Sequence, residues 1–499
     1  MESIRSFCKR RAFLYILLAC FCLLLACSAK DYDYDLYARL LVGENFIDKG
    51  VFNYQDYLSY TPTHIWYDHE WGSSIVFYLF FKYLGAFGLI LLQGITMFIT
   101  SVFVIKTQRL QNNPYPVSLA FMALFLWLFF HQNPSIVRCH MFSFMFFAMF
   151  LYFLEKTRTK NANIIWLIPL ITIIWNNLHG GIVSGLGLIG IYMVGAILSK
   201  KPFKKYLYVL LVSLPLLAIN PYGCEYLNFL ISANTKTRSY ITEWWSVFAI
   251  RHVVYYYPAF CLSILTTILA FMKRNKNLMK TLALLVTTAL GIWHVKLLSL
   301  SIIVAASLFY NDIMNIIGKN FIRIAEKIAY VIVFLSILYI PFSNPTIPRV
   351  EPEKYPVMET EFLRLNNIKG NILTAFGLGS YVSYKLYPDN LIYMDGRYEE
   401  VYYDNEFDKL MKYELVEEGW DEVLNEYPTE ILMPDKTVPV YKVLQKHPDW
   451  KEIFEGSVCG VFVRKEAAKK NYIIPPNTID YYQETAFERV EKEVKNEQP

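Results

Sequence analysis

The chain has 499 residues, 55% of them hydrophobic and only 18% charged, with a formal net charge of +5. That apolar share exceeds what a soluble globular protein usually carries. The small positive balance comes without a dense basic patch or aromatic-basic interleaving, which excludes a nucleic-acid partner.

The apolar residues lie in blocks. Runs mostly of about 17 to 21 residues, the length that crosses a hydrocarbon core, predict about eleven membrane spans. They fall at 12–28, 86–106, 115–131, 139–155, 162–178, 181–198, 206–219, 255–272, 280–293, 297–311 and 325–342. Leu24 to Cys27 (LLAC) also fits a bacterial lipoprotein processing site, against the plainer reading of an uncleaved anchor with a chance cysteine. The stretch 70–85 is apolar but short and contains Lys82, which predicts an amphipathic interfacial helix. Lysine and arginine concentrate before the first span and then in alternate loops: Lys106 and Arg109, Lys156 to Lys160, Lys200 to Lys205, Lys273 to Lys280, and Lys319 to Lys327. Basic loops are retained on the cytoplasmic side. This register predicts a cytoplasmic N-terminus, with the loop 30–71 and everything after Phe342 outside.

The loop 30–71 is dense in acidic, aromatic and histidine residues, including Asp33, Asp35, Asp56, Asp68, His69 and Glu70. Later residues cluster by topology on the same outward face: Arg138 and His140 open a span, His179 closes another, Glu243 lies in a long loop, and His294 and Lys296 border a turn. Charges at span ends are costly and tend to line a wet cavity. Carboxylates there can take a proton from a hydroxyl, and basic groups can neutralise a departing phosphate oxygen. Plainer readings stand beside these: Asp33 as a solvated loop charge, Asp35 as a helix cap, Arg138 and Lys296 as interfacial snorkelers, and His179 and His294 as packing residues. His69-Glu70 lacks the second histidine of a zinc helix motif.

Beyond the last span, prolines between 341 and 356 mark an extended linker. Short apolar runs at 371–373, 391–394, 430–433, 452–454 and 458–463 predict strands, and helical spacing at 353–366 and 404–426 predicts helices between them, an α/β layer. The expected organisation is a polytopic α-helical membrane domain (1–343), a linker (344–356), an extracytoplasmic α/β domain (357–465) and a polar tail (466–499). Eight cysteines show no disulfide or zinc spacing, and Cys459 alone falls in the α/β region. No P-loop, dinucleotide fingerprint or nucleophile elbow occurs.

The run DYDLYARLLVGENFIDKG, with the SYT and HEW elements after it, resembles the first outer loop of bacterial multi-span GT-C glycosyltransferase-like proteins. VRCHMFS, WNNLHGG, NPYG, ITEWW, GSYVSYKLYP and MDGRY extend the resemblance from about Asp31 to Arg464. It implies a GT-C-like fold and a transferase of the inner membrane. Such an enzyme would move a hexosyl or pentosyl group from a polyprenyl-phosphate donor to a hydroxyl on a lipid or glycan acceptor at the outer face. The acidic position of the loop motif falls on Asp35, with Asp33 beside it, as catalytic candidates. Asp68, His69 and Glu70 are candidates for acceptor or metal contact, Arg138, His140, His179, His294 and Lys296 for the phosphate end, and Glu243 is a further substrate-binding candidate. The resemblance admits a divalent metal, Mg or Mn, with Asp33, Asp35 and Glu70 as candidate ligands. Leu36 to Arg39 departs from the family's usual tryptophan-and-histidine pattern. Two other classes stay open: a lipid-linked saccharide carrier or flippase, and a non-catalytic membrane scaffold.

Overall fold

The computed structural model describes residues 2–28, 32–50, 52, 54–111, 118–131, 137–236, 238, 241–250, 256–272, 277–339, 350–351 and 353–489. The expected linker therefore falls partly outside the described residues, at 344–349 and 352, as does the last part of the expected tail, 490–499. The chain divides into two compact units, Met1–Ala29 with Phe80–Pro348, and Lys30–Leu79 with Arg349–Pro499. The acidic loop thus groups with the C-terminal α/β segment, where the sequence reading had set it with the membrane helices.

In the first unit each expected apolar span coincides with a helix, among them Leu119–His131, His140–Lys160, Leu167–Leu178, Ile182–Leu198, Tyr257–Met272 and Leu278–Trp293. The expected interfacial helix near residue 70 runs on instead into Trp71–Arg109. The break between the two stretches is at Gly85, whose backbone (φ 59°, ψ −153°) suits only glycine. Among the described residues, Trp71–Arg109 is the one helix long and apolar enough to cross a membrane by itself. A second is gained if the bent pair Val295–Leu308 and Tyr310–Ile317, at 74°, counts as one span, and the remaining apolar helices run 10–17 residues. Charge inside the unit is neutralised locally. Buried Glu155 receives Arg158 through two bonds of 2.7 Å and the Tyr192 hydroxyl at 2.7 Å. Glu326 caps the helix Leu119–His131, accepting from the Leu119 and Ala120 amides at 2.8 and 3.1 Å.

The second unit is built on a four-stranded sheet of β1 (Ile372–Thr374), β2 (Ile431–Met433), β3 (Trp450–Glu455) and β4 (Gly460–Arg464), in the order β1-β2-β4-β3. β1 and β2 are parallel and wholly buried, as continuous ILT and ILM runs require when both faces are covered. β3 and β4 form an antiparallel hairpin. The acidic loop extends this sheet edge: Ile392 bridges Ile372 on one side and Ser59 on the other, with Tyr60 N bonded to Ile392 O at 3.1 Å and Ile392 N to Leu58 O at 3.0 Å. Backbone groups paired in this way bind the loop to the α/β segment.

The loop's helix, Asp35–Lys49, ends on Gly50 in the left-handed region (φ 65°). It packs against Gly379–Leu386 through Tyr37, whose ring meets those of Tyr381, Tyr384 and Tyr355 at 4.7, 5.6 and 5.3 Å. The GSYVSYKL segment is therefore a packing partner of the loop. The core beneath the sheet is made by Phe362, Ile372, Val382, Ile392, Ile431 and Val461.

Candidate active site

Asp35 opens the helix Asp35–Lys49 and is half-buried. Asp33 opens the turn before it, its carboxylate accepting the Asp35 amide at 3.1 Å, so capping is done by Asp33 and the Asp35 side chain is not needed for it. The Asp35 carboxylate lies against the Cα of Gly396: a Cβ at that position would stand 3.1 Å from Asp35 Cγ and overlap Oδ1. Gly396 is flanked by a second buried ion cluster. Arg397 donates to Asp395 at 2.8 Å, to Asp56 at 2.5 Å and to the Tyr402 hydroxyl at 3.0 Å. Burial alone would raise Asp56, but the Arg397 guanidinium outweighs it and holds the carboxyl below its ordinary range.

Four residues after Asp35, and therefore on the same helical face about 6 Å along the axis, Arg39 is the hub of a buried network. It binds Asp68, reaches Glu70 at 3.2 Å and forks onto both oxygens of Glu400 at 3.1 and 3.2 Å. His69 Nδ1 stands 3.0 Å from Glu400 and Nε2 3.6 Å from Glu70, while Trp66 Nε1 donates to Glu400 at 3.1 Å. Burial disfavours the His69 cation, but Glu400 and Glu70 more than compensate and lift its pKa to about 9, so the ring is charged at neutral pH. Glu400 is held well below its usual value by Arg39 and His69 against burial, whereas burial pushes Asp68 up. The three candidates Asp68, His69 and Glu70 are thus brought together around Arg39. Asp33, Asp35 and Glu70 do not form a close group of metal-ligand atoms among the described residues.

In the first unit, every sequence-singled residue sits at a helix end or turn. His140 starts His140–Lys160, His179 ends Leu167–Leu178, His294 follows Leu278–Trp293, Lys296 lies in the turn Val295–Leu297, and Glu243 in the turn Thr242–Trp244. Backbone bonds Val247 N to Ile292 O (3.0 Å) and Val295 N to Trp245 O (3.1 Å) stitch the last two turns together. Arg138 consequently reaches Glu243 at 2.7 Å, Lys296 reaches the same carboxylate at 3.6 Å, and the Lys296 ammonium rests 3.4 Å above the Trp244 ring. Arg238 stacks on that ring at 4.1 Å, and His294 Nδ1 meets Trp244 O at 2.5 Å. Burial opposes ionisation of Glu243, yet Arg138, Lys296 and His140 hold it far below the ordinary carboxylate range. The ring of His140 lies 4.8 Å from that of His179. Arg138, Glu243, Lys296 and His294 are thus joined through Glu243 and Trp244, and the His140–His179 pair is linked to them electrostatically, through the charge of Glu243.

Sequence reasoning missed Arg39, Glu400, Arg397 and Asp395 as members of these networks. The signals were present: Arg39 stands where the loop motif departs from its usual pattern, and the other three lie in or just after MDGRY. Trp244 carried only the ITEWW motif as a hint, and Arg238, three residues before that motif, carried none.

No family model matches the chain, and no curated protein matches it. Among solved structures, the arabinofuranosyltransferase AftD from Mycobacteria superposes with a TM-score of 0.53 at 12% identity, over 91% of this chain. The oligosaccharyltransferase of Archaeoglobus fulgidus, in its apo form, superposes at 0.51 and 11% identity over 84% of the chain. The chain has a GT-C-like fold. It spans 40% of the length of AftD and 69% of that of the oligosaccharyltransferase.

Proposed function

We propose that this GT-C-like protein is an inverting glycosyltransferase of the bacterial inner membrane. It transfers a sugar from a polyprenyl-phosphate donor to a hydroxyl of a lipid or glycan acceptor on the outer face, with its N-terminus cytoplasmic. The observation that carries the reading is the set Arg138, His140, His179, Glu243, His294 and Lys296 at helix ends of a GT-C-like fold. A membrane setting is supported by the lipid-compatible exposure of Leu170, Ile174, Leu211, Val331, Ile332 and Leu335 on the helices.

In this reading the acceptor oxygen attacks the anomeric carbon of the sugar while the bond from that carbon to the phosphate oxygen breaks. The electron pair of that bond leaves with the lipid phosphate. Asp35 takes the hydroxyl proton, and Arg138 and Lys296 neutralise the charge on the departing oxygen. The Arg39 network holds Asp68, His69 and Glu70 as a rigid wall for the acceptor. A divalent cation would meet His69 and Glu70 only by displacing the His69 proton and competing with Arg39 for Glu70. The test is Asp35→Asn in membranes supplied with lipid-linked donor. Transfer is lost while protein abundance is unchanged, and unaltered transfer removes Asp35 from the role.

A further inference from the structure

The composition of residues 466–499 predicts a polar tail, yet the described part of that stretch, up to Arg489, is tied to the second unit at close intervals. Asn366 holds both backbone groups of Ile473, accepting the amide and donating to the carbonyl, each at 2.8 Å. Thr478 caps the short helix Ile479–Thr485 by accepting the Tyr481 amide at 3.3 Å. Within that helix, Gln483 grips the backbone of Val350 through two bonds of 3.0 and 2.8 Å. Three consecutive carbonyls are then taken up by Gly379–Leu386. Lys385 donates to Thr485 O, the Tyr381 hydroxyl to Ala486 O at 2.8 Å, and the Tyr384 hydroxyl to Phe487 O at 3.1 Å. Arg489 returns the contact with Nε on Tyr384 O at 2.7 Å and pairs with Glu44 of the helix Asp35–Lys49. Backbone groups satisfied in this way belong to a fixed element.

Two routes lead from this element to the turn that carries Asp33 and Asp35. The Phe487 ring stands edge-on to Tyr32 at 5.4 Å and lies 5.7 Å from Tyr37. Tyr32 precedes Asp33, Tyr37 follows Asp35 by two residues, and both are fully buried, so one ring meets both flanks of the acidic turn. Aromatic pairs at such distances prefer particular orientations, which lets the contact fix direction as well as fill space. The second route is polar. The Tyr482 hydroxyl is shared between Glu351 O at 3.0 Å and Tyr355 O at 2.7 Å, and the Tyr355 hydroxyl in turn donates to Tyr32 O. We propose that residues 478–489 are a strap that positions the acidic turn, with Phe487 as the positioning residue for the Asp35 carboxylate. The proposal rests on the glycosyl-transfer reading above, and Phe487 acts in it only through Tyr32 and Tyr37.

The test uses the full-length protein, assayed in membranes of the strain that expresses it with farnesyl phosphates carrying a radiolabelled hexose or pentose. Amide exchange of the same variants is followed in detergent. Phe487→Ala is expected to lower kcat at least about tenfold, since about an ångström of drift at a reacting group can cost 100-fold, while KM for the farnesyl donor stays within about twofold. Exchange over residues 33–41 should accelerate and that of β1 and β2 should not. Phe487→Leu, which keeps most of the bulk, should recover much of the lost kcat. Tyr482→Phe is isosteric and cuts only the polar route, so it should lower kcat less than Phe487→Ala, again at unchanged KM. A kcat within about twofold of the unaltered protein in both Phe487→Ala and Tyr482→Phe would overturn the proposal. So would a KM that rises as kcat falls, with faster exchange throughout the second unit, in both variants. If the unaltered protein transfers none of the labelled sugars, the glycosyl-transfer reading fails and the positioning role with it, while exchange over 33–41 still reports whether the strap holds the turn.

Discussion

Gly396→Ala tests whether the Asp35 carboxylate is held where it must act. Gly396 is outside the positive-φ glycines, so alanine is acceptable to the backbone, and the substitution acts through space alone. Its Cβ would stand 3.1 Å from Asp35 Cγ and within the envelope of Oδ1, where ordinary contact begins at 3.4 Å. The carboxylate has to turn or retreat by roughly an ångström, a displacement that can cost on the order of 100-fold in rate. Removing a glycine at a compatible position lowers the entropy of the unfolded chain and contributes about 0.4–1 kcal/mol of stability. The expectation is therefore a large fall in sugar transfer from lipid-linked donor with undiminished thermal stability. The double variant Gly396→Ala with Asp35→Asn should be no slower than Asp35→Asn alone, because both changes act on one group. Transfer within twofold of the unaltered protein, or additive losses in the double variant, would refute the reasoning.

Three further outcomes follow from the same networks. Arg39→Met strips the shared cation from Asp68, Glu70 and Glu400 and should destabilise the second unit by about 3–5 kcal/mol; an unchanged melting temperature would show that His69 alone balances the three. Arg138→Gln removes the fork from Glu243 and should raise the KM for the lipid donor about tenfold or more, the loss expected for a charge-assisted bond, and an unaltered KM would count against Arg138 at the phosphate. Buried Glu359 accepts the amides of Val458 and Cys459, both at 2.8 Å, and burial pushes its pKa up from 4.5 to about 7 in spite of those amides. Because the folded state holds this proton more tightly, the group's stabilising contribution is complete below pH 4.5 and is lost as pH rises through about 7. Hydrogen exchange across β3 and β4, corrected for its intrinsic pH dependence, should speed up over that window, and Glu359→Gln should flatten the effect; a pH-independent opening in the unaltered protein would contradict it.

Much of the architecture was legible because it follows from periodicity. The apolar blocks coincide with helices, and the runs at 371–373, 430–433, 452–454 and 458–463 fall within a residue or two of the four strands. Two expectations fell short for local reasons. The run 391–394 contributes only the two isolated bridges of Ile392, to Ile372 and Ser59, since Asp395-Gly396-Arg397 turns the chain away to reach Asp56. The helix expected over 404–426 stops at Leu415, where Val416 is left-handed (φ 58°) and Gly419 follows at φ 79°. Gly419 was a readable stop signal.

The networks were legible only in part, and the division follows a physical line. Arg138, His140, His179, Glu243, His294 and Lys296 could be grouped from sequence because helix ends order charged residues along the chain, and alternate loops share a face. The distant partners of Asp35 and Arg39, Gly396 and Glu400, could not, because they arrive from more than 350 residues downstream through β-bridges of one residue each, at Ser59–Ile392 and Thr63–Tyr402. No periodicity encodes such a contact. What encodes it is residue type: a glycine where a carboxylate packs on the backbone, flanked by an aspartate and an arginine that tie the segment to the loop at Asp56. MDGRY is thus a docking element for the acidic loop, and if Asp35 is the base, its geometry is set as much by Gly396 and Arg397 as by the helix that carries it.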